Sequence, residues 1–270
     1  MTIIDRGSGP PVVLVPGIQG RWEWMRPAVD ALSRRCRVIT FSLADEPTSG
    51  VPFDEDSGFD NYLRHVNEVL DRAHISSATI CGISYGGLIA ALFSARYPAR
   101  AHGVIVVSAI PPSWRPDARV RFLIRAPRLL SPLFCVNSMR LLPEMVSAKN
   151  GFRSAVPFAV RHVGTVMRYR FSPGLMARRV QLLDGKSFEA EIAQLRIPAL
   201  IITGEAGLDR VVPVSLTRDY LRLWPQARAA SIARAGHLGP ITKPDEFADL
   251  VARFAESIPR QHDHRRRIVV

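Results

Sequence analysis

A serine between two glycines, at the junction of an apolar run and a helix start, is the feature that most restricts this chain. The segment Gly82-Ile83-Ser84-Tyr85-Gly86 follows Ala78-Thr79-Ile80-Cys81 and precedes Gly87-Leu88-Ile89-Ala90-Ala91-Leu92-Phe93. The first run reads as a buried strand and the second as the opening of a helix. A turn this sharp forces its apex residue into a strained backbone conformation. Glycines two before and two after the apex let strand and helix approach. The Ser84 hydroxyl is thereby held above the end of a sheet. A glycine-flanked serine also arises by chance in a chain of 270 residues, so its surroundings must support the reading.

A serine becomes a nucleophile beside a base, and the base needs a partner that orients it. Downstream, residues 197–205 form an apolar strand with a turn at its end, and Asp209 follows ahead of Arg210-Val211-Val212-Pro213. Residues 228–232 read as another strand, followed by Ala235-Gly236-His237-Leu238-Gly239. Ser84, Asp209 and His237 thus each follow a strand end, where α/β sheets place functional groups. Near the start, Val12-Val13-Leu14-Val15 is a strand, and Pro16-Gly17-Ile18-Gln19-Gly20 is the loop after it. Backbone N–H groups of Ile18 and Tyr85 are candidates for an oxyanion hole beside Ser84. Simpler roles exist for each residue: a turn serine, a helix cap before Pro213 for Asp209, and a loop histidine for His237. Cys81, next to the turn, reads as a small buried hydrophobe.

These residues together resemble the α/β-hydrolase superfamily, in its serine-esterase-like branch with a helical lid. The resemblance spans about the whole chain and rests on 82–87, on Gly204-Glu205 through Asp209 to Val212-Pro213, and on Gly236-His237. It implies a nucleophile–acid–histidine order of Ser84, Asp209 and His237. Two departures stand out. The oxyanion loop carries Pro16-Gly17 where the family usually has His-Gly. The distance from Gly204-Glu205 to the acid is longer than usual, which leaves Glu205 as an alternative to Asp209.

The remaining pattern alternates strands (12–15, 37–43, 78–83, 104–109, 199–203, 228–233) with helices (near 22–35, 58–73, 86–97, 213–223, 244–257). That order predicts a mostly parallel sheet covered on both faces. Ahead of residue 12, Thr2-Ile3-Ile4 can supply one short strand, so the sheet edge is expected to be trimmed. The stretch 111–190 breaks the alternation with eight prolines, at 111, 112, 116, 127, 132, 143, 157 and 173. Between them lie short amphipathic helical runs, 118–125 and 158–169. The expected organisation is a core of 1–110 and 191–270 with 111–190 inserted as a lid. Phe122, Leu123, Leu129, Phe152, Phe158, Met167 and other apolar lid residues are candidates to line an acyl pocket.

Charge singles out the same stretch. Residues 111–190 hold 14 Lys+Arg against 4 Asp+Glu, so nearly all of the chain's net +12 lies there. A basic lid suits an anionic partner: an acidic acyl carrier protein, an anionic membrane surface or a carboxylate-bearing substrate. No stacking-aromatic or groove-reading motif accompanies the charge, so nucleic acid is not expected. Asp45, Glu46, Asp54, Glu55 and Asp56 lie in a loop after the second strand, either solvated or paired with the basic lid to hold it closed. Three cysteines, Cys36, Cys81 and Cys135, give no disulfide framework, and Met1 to Arg6 carries no apolar leader, so a cytoplasmic location is expected. His262 and His264 make a poor metal site, and neither metal nor organic cofactor is expected.

The function these features imply is hydrolysis of a small-molecule carboxylic ester through an acyl-enzyme, with Ser84 as nucleophile, His237 as base and Asp209 as its orienting acid. Thioester, lactone or carbon–carbon bond hydrolysis and perhydrolase chemistry are open to the same residues. Carrier-linked esters are a natural sub-class, by similarity to the pimeloyl-carrier-protein methyl esterases. A reading of another class is a ligand-binding protein of this fold with a slow or idle triad.

Overall fold

The computed structural model describes residues 1–130, 132 and 138–258. Its centre is a seven-stranded sheet in the order β1-β3-β2-β4-β5-β6-β7. The strands are β1 (Ile3–Arg6), β2 (Pro11–Val15), β3 (Arg37–Phe41), β4 (Ala78–Ile83), β5 (Ala101–Val107), β6 (Ala199–Thr203) and β7 (Arg228–Ser231). Only β1 is antiparallel, pairing Ile3 with Phe41 and Arg6 with Val38. It is the single short edge strand expected from the few residues ahead of β2.

The central strands alternate apolar side chains between two cores, as the period of two requires. Val13, Ile80, Val104 and Ile201 face a core shared with α2 (Asp60–Arg72) and α3 (Tyr85–Arg96). Leu14, Cys81, Ile105 and Ile202 face the other, closed by α1 (Arg26–Leu32) and a C-terminal helix (Pro244–Ser257) through Phe247, Val251 and Phe254. Cys36 and Cys81 are buried free thiols, and burial raises both above the usual thiol range. Cys135, His262 and His264 lie outside the described residues.

Between β5 and β6 the alternation gives way to helices: α4 (Ala118–Arg125), α5 (Leu142–Ala148), α6 (Phe152–Arg168), α7 (Pro173–Gln181) and α8 (Glu189–Ile192). Asp117 caps α4 by accepting the Val120 N–H at 2.7 Å, and Ser172 caps α7 through Leu175 at 3.3 Å. Pro143 and Pro173 sit in first turns, where a missing N–H is free of cost. Pro157 is different: the expected break before 158 is absent, and the helix runs through it from 152. Residue 157 is exposed, so the carbonyl that its ring deprives of a partner can turn to water. α6 leans on the Trp22–Met25 turn, with the His162 ring edge-on to Trp24 at 5.8 Å and the Trp24 indole N–H donating to the Tyr169 carbonyl at 2.9 Å. Among the described residues no helix is long and apolar enough to cross a membrane.

The apolar residues expected to line a pocket divide. Met145 is buried, but Phe122, Leu129, Met139, Phe152 and Met167 are exposed on the outside of the insertion. A helical repeat fixes which residues share a face, not which face turns inward.

The junction of β4 and α3 tolerates no side chain at its glycines. A Cβ on Gly82 would stand 2.0 Å from the Gly86 carbonyl oxygen, and one on Gly86 would stand 2.4 Å from that of Pro16. Gly164, in α6, has open space around it and an ordinary helical φ. Gly82→Ala is therefore expected to yield little folded protein, whereas Gly164→Ala should raise stability by about 0.4–1 kcal/mol. Denaturant melts of the two variants check both directions.

Candidate active site

Six of the seven strands, β2 to β7, run parallel, so their carboxyl ends share one edge of the sheet. All five sequence-derived site residues lie at that edge, four in loops and Tyr85 at the start of α3. Ser84 directly follows β4 and has φ 56° and ψ −120°. A left-handed serine is strained. Its N–H donates to the Val107 carbonyl at 2.8 Å, and its carbonyl accepts from Gly87 at 2.9 Å, which holds the turn in place. Register aligns Leu14 with Cys81 and Val15 with Gly82, so the loop after β2 runs beside the turn. A Cβ on Gly17 would come within 3.4 Å of the Ser84 Cβ. Ile18 and Tyr85 therefore flank Ser84 from two sides, one in that loop and one at the first residue of α3.

Asp209 and His237 meet directly. The His237 Nδ1 lies 3.3 Å from one Asp209 oxygen and 3.4 Å from the other. The Asp209 carboxylate also accepts from Val212 N–H at 2.9 Å and Val211 N–H at 3.1 Å, so it caps its own loop while it holds the ring. Burial alone would raise this carboxyl. The His237 ring, the Val212 N–H and the Ser108 hydroxyl outweigh burial and hold it below the usual range. Asp209 is thus an anion at neutral pH. Ser108 follows Val107, whose carbonyl holds the Ser84 N–H, so a short covalent step links the serine turn to the acid. The Ser84 hydroxyl makes no hydrogen bond to the ring here, a contact that commonly tightens only with substrate. The alternative acid, Glu205, is exposed and accepts the Arg234 N–H at 2.7 Å, away from His237.

Two further residues, both from the insertion, were not found by sequence reasoning. Glu144 of α5 is 0 % exposed and accepts the N–H groups of Gly236, at 2.8 Å, and of Leu238. It grips the backbone on either side of His237. Burial pushes its carboxyl up to about 7, against the opposing pull of those two N–H groups and of His237. Arg179 of α7 is also fully buried. Its guanidinium binds Asp45 at 2.8 Å and Glu46 at 2.7 Å and donates to the Ile18 carbonyl at 2.7 Å. The Tyr85 hydroxyl donates to the Arg179 carbonyl at 3.2 Å. Burial disfavours the charge, but the two carboxylates keep Arg179 fully cationic. The acidic loop after β3 does pair with the insertion, through Asp45 and Glu46 and through an exposed Arg178–Glu55 contact. The solvated alternative holds only for its tip.

No group of three or more His, Cys, Asp or Glu arranged to hold a metal occurs among the described residues. A family model described as "Alpha/beta hydrolase family" matches residues 12–250. The chain belongs to the alpha/beta hydrolase family. It is 26% identical over 243 residues to the 3-oxoadipate enol-lactonase 1 of Acinetobacter baylyi, covering 88% of this chain and 85% of the relative. It is 25% identical over 255 residues to the pimeloyl-[acyl-carrier protein] methyl ester esterase of Aliivibrio salmonicida, covering 93% and 94%. Among solved structures, an esterase from Thermogutta terrifontis superposes with TM-score 0.76 at 22% identity, covering 95% and 93%. A bromoperoxidase from Bacillus anthracis does so with TM-score 0.76 at 21% identity, covering 94% of each chain. The structural likenesses establish the α/β-hydrolase fold, and the named relatives support a hydrolase.

Two substitutions test the buried charges. Arg179→Met leaves Asp45 and Glu46 buried without a cation and should destabilise the protein by about 3–5 kcal/mol in denaturant melts. Glu144 has a carboxyl raised in the native state from 4.5 to about 7, so the folded form prefers it protonated. Its contribution to stability is therefore full below pH 4.5 and lost as pH rises through 7. Glu144→Gln keeps an oxygen for both N–H groups and removes the titration. The melting temperature of the wild type relative to this variant should fall across that window, and a constant difference would contradict the assignment.

Proposed function

We propose that the protein is a serine hydrolase of carboxylic esters that works through an acyl-enzyme. The observation that carries this reading is the left-handed Ser84 on a parallel-sheet edge that also holds a buried His237–Asp209 pair. Ser84 attacks the acyl carbon while His237 takes its proton through Nε2. The Asp209 anion fixes the ring with Nδ1–H toward itself and stabilises the imidazolium. The oxygen of the tetrahedral intermediate accepts from the N–H groups of Ile18 and Tyr85. Such donors contribute about 3–4 kcal/mol each to the transition state. His237 then returns its proton to the leaving alcohol and activates the water that releases the acid.

The helices between β5 and β6 act in this reading as a lid. Ser84 and His237 are only 7% and 9% exposed, so the substrate needs the insertion to shift before it can enter. Arg179 and Glu144 tie that insertion to the oxyanion loop and to the histidine loop. Closing it therefore sets both halves of the machinery. A lactone is an ester within a ring and reacts by the same steps. Similarity to a named enol-lactonase favours it as the second reading of substrate class.

Hydrolysis of a series of p-nitrophenyl esters, from acetyl to long acyl, tests the proposal. Ser84→Ala should remove turnover almost entirely, by roughly a million-fold in kcat. Asp209→Asn should lower kcat by about ten-thousand-fold with the fold intact, because the ring loses its tautomer. Equal turnover by wild type and Ser84→Ala would overturn the reading.

A further inference from the structure

The outer face of α6 is built unlike that of a solvated helix. Phe152, Val156, Val160, Val163 and Met167 are all exposed, with Phe152 at 70%, Val160 at 67% and Met167 at 66%. At 3.6 residues per turn these five side chains fall within an arc of about 80° and form one straight stripe. The inward side of the same helix is carried by Ala155, Phe158 and His162, so the stripe is a second apolar face and not the core face displaced. On one side of it Arg153 adjoins the stripe and Arg168 and Arg161 lie farther round the helix, all three exposed, and the helix contains no acidic residue. Leu129, Met139 and Leu142 add exposed apolar surface on the same insertion. The few acids of 111–190 offer little neutralisation: Glu144 is buried and Asp117 caps α4.

We propose that this face of α6 docks on an anionic lipid surface. Apolar side chains along one arc with arginines on the flank are what a helix needs to lie in the headgroup region, its stripe in the acyl boundary and its guanidiniums on phosphates. The contact is interfacial, since no described helix can span a bilayer. Charge decides against a second copy, because two such faces would bring the positive insertions together. The stripe is straight and lies on the outside of the helix. A fluid surface accepts it without a matching shape, which a folded acidic partner would have to provide. Docking here would place the insertion over the active site against the phase that holds lipophilic esters.

Vesicle co-sedimentation tests this without reference to turnover. Wild-type protein should pellet with phosphatidylcholine vesicles containing phosphatidylglycerol, should bind pure phosphatidylcholine far less, and should be released by salt. The double variant Val160→Asp/Val163→Asp should lose at least about tenfold in partition coefficient, because each change removes an apolar group from the acyl boundary. Arg153→Glu/Arg161→Glu should lose binding to anionic vesicles selectively. Both variants should keep the wild-type circular dichroism. No binding to anionic vesicles, or binding unchanged in the stripe variant, would overturn the proposal. So would a dimer that Val160→Asp/Val163→Asp dissociates, or capture by an acidic acyl carrier protein with no affinity for vesicles. None of these outcomes depends on whether Ser84 cleaves esters.

Discussion

The contact between β4 and α3 is the constraint on which the rest depends. Chain direction reverses there so abruptly that the carbonyl of Gly86 occupies the space of a Cβ on Gly82. Ser84 absorbs the reversal with a positive φ, at a cost of order 1–3 kcal/mol that its surroundings must offset. They do so with a backbone bond on each side of the residue, to Val107 and from Gly87, and with a helix buried along ten of its residues. The same contact aims the first N–H groups of α3 at the sheet edge, where a helix start favours negative charge. Strain, donor and hydroxyl are products of one turn.

The insertion contributes two buried side chains, Arg179 and Glu144, that reach the loops beside Ser84 and His237. A buried ion pair is weak evidence for stability, since desolvation can cancel the attraction. Its geometry is more informative here. Arg179 directs its donors to Asp45, Glu46 and the Ile18 carbonyl, so the loop after β2 is tied to α7. Glu144 does the equivalent for the histidine loop, where two N–H groups would otherwise be buried without partners. A lone unpaired N–H in such a place costs about 1–3 kcal/mol, which gives α5 a reason to stay in contact. Placement of the loop after β2 and of the loop that carries His237 is thereby coupled to placement of one helical layer.

The strands and the three polar residues were legible because their signals are local. Ser84 announces itself by glycines two residues away, and Asp209 and His237 by the strand ends just before them. The lone strand ahead of β2 followed from counting residues. Arg179 gave no such signal: it is one of 14 basic residues in its segment, and its carboxylates lie 134 and 133 positions away. Glu144 sits between Pro143 and Met145 and meets Gly236 92 residues later. Its one hint was scarcity, as one of four acids in a basic stretch. Pro157 misled because a proline is read as a break whatever its exposure. The pocket assignments misled because α6 carries apolar residues on two faces, and only its docking on Trp24 shows which faces inward.

Those two faces explain how one segment can be so basic and remain folded on the core. The single arginine that goes fully inside, Arg179, meets two carboxylates supplied by the loop after β3. Arg178 beside it takes Glu55 at the rim. The arginines of α6 have no such partners to turn toward on their own helix, and they lie exposed on one side of the valine stripe. Self-repulsion among exposed like charges is screened within about 8 Å at physiological salt, so the outer face is tolerated as long as it stays wet. Apolar stripe and positive flank together lower their free energy only against a surface that is both oily and anionic. The residues that fix the insertion in place and the residues that it presents outward are separate sets, so either can change without loss of the other.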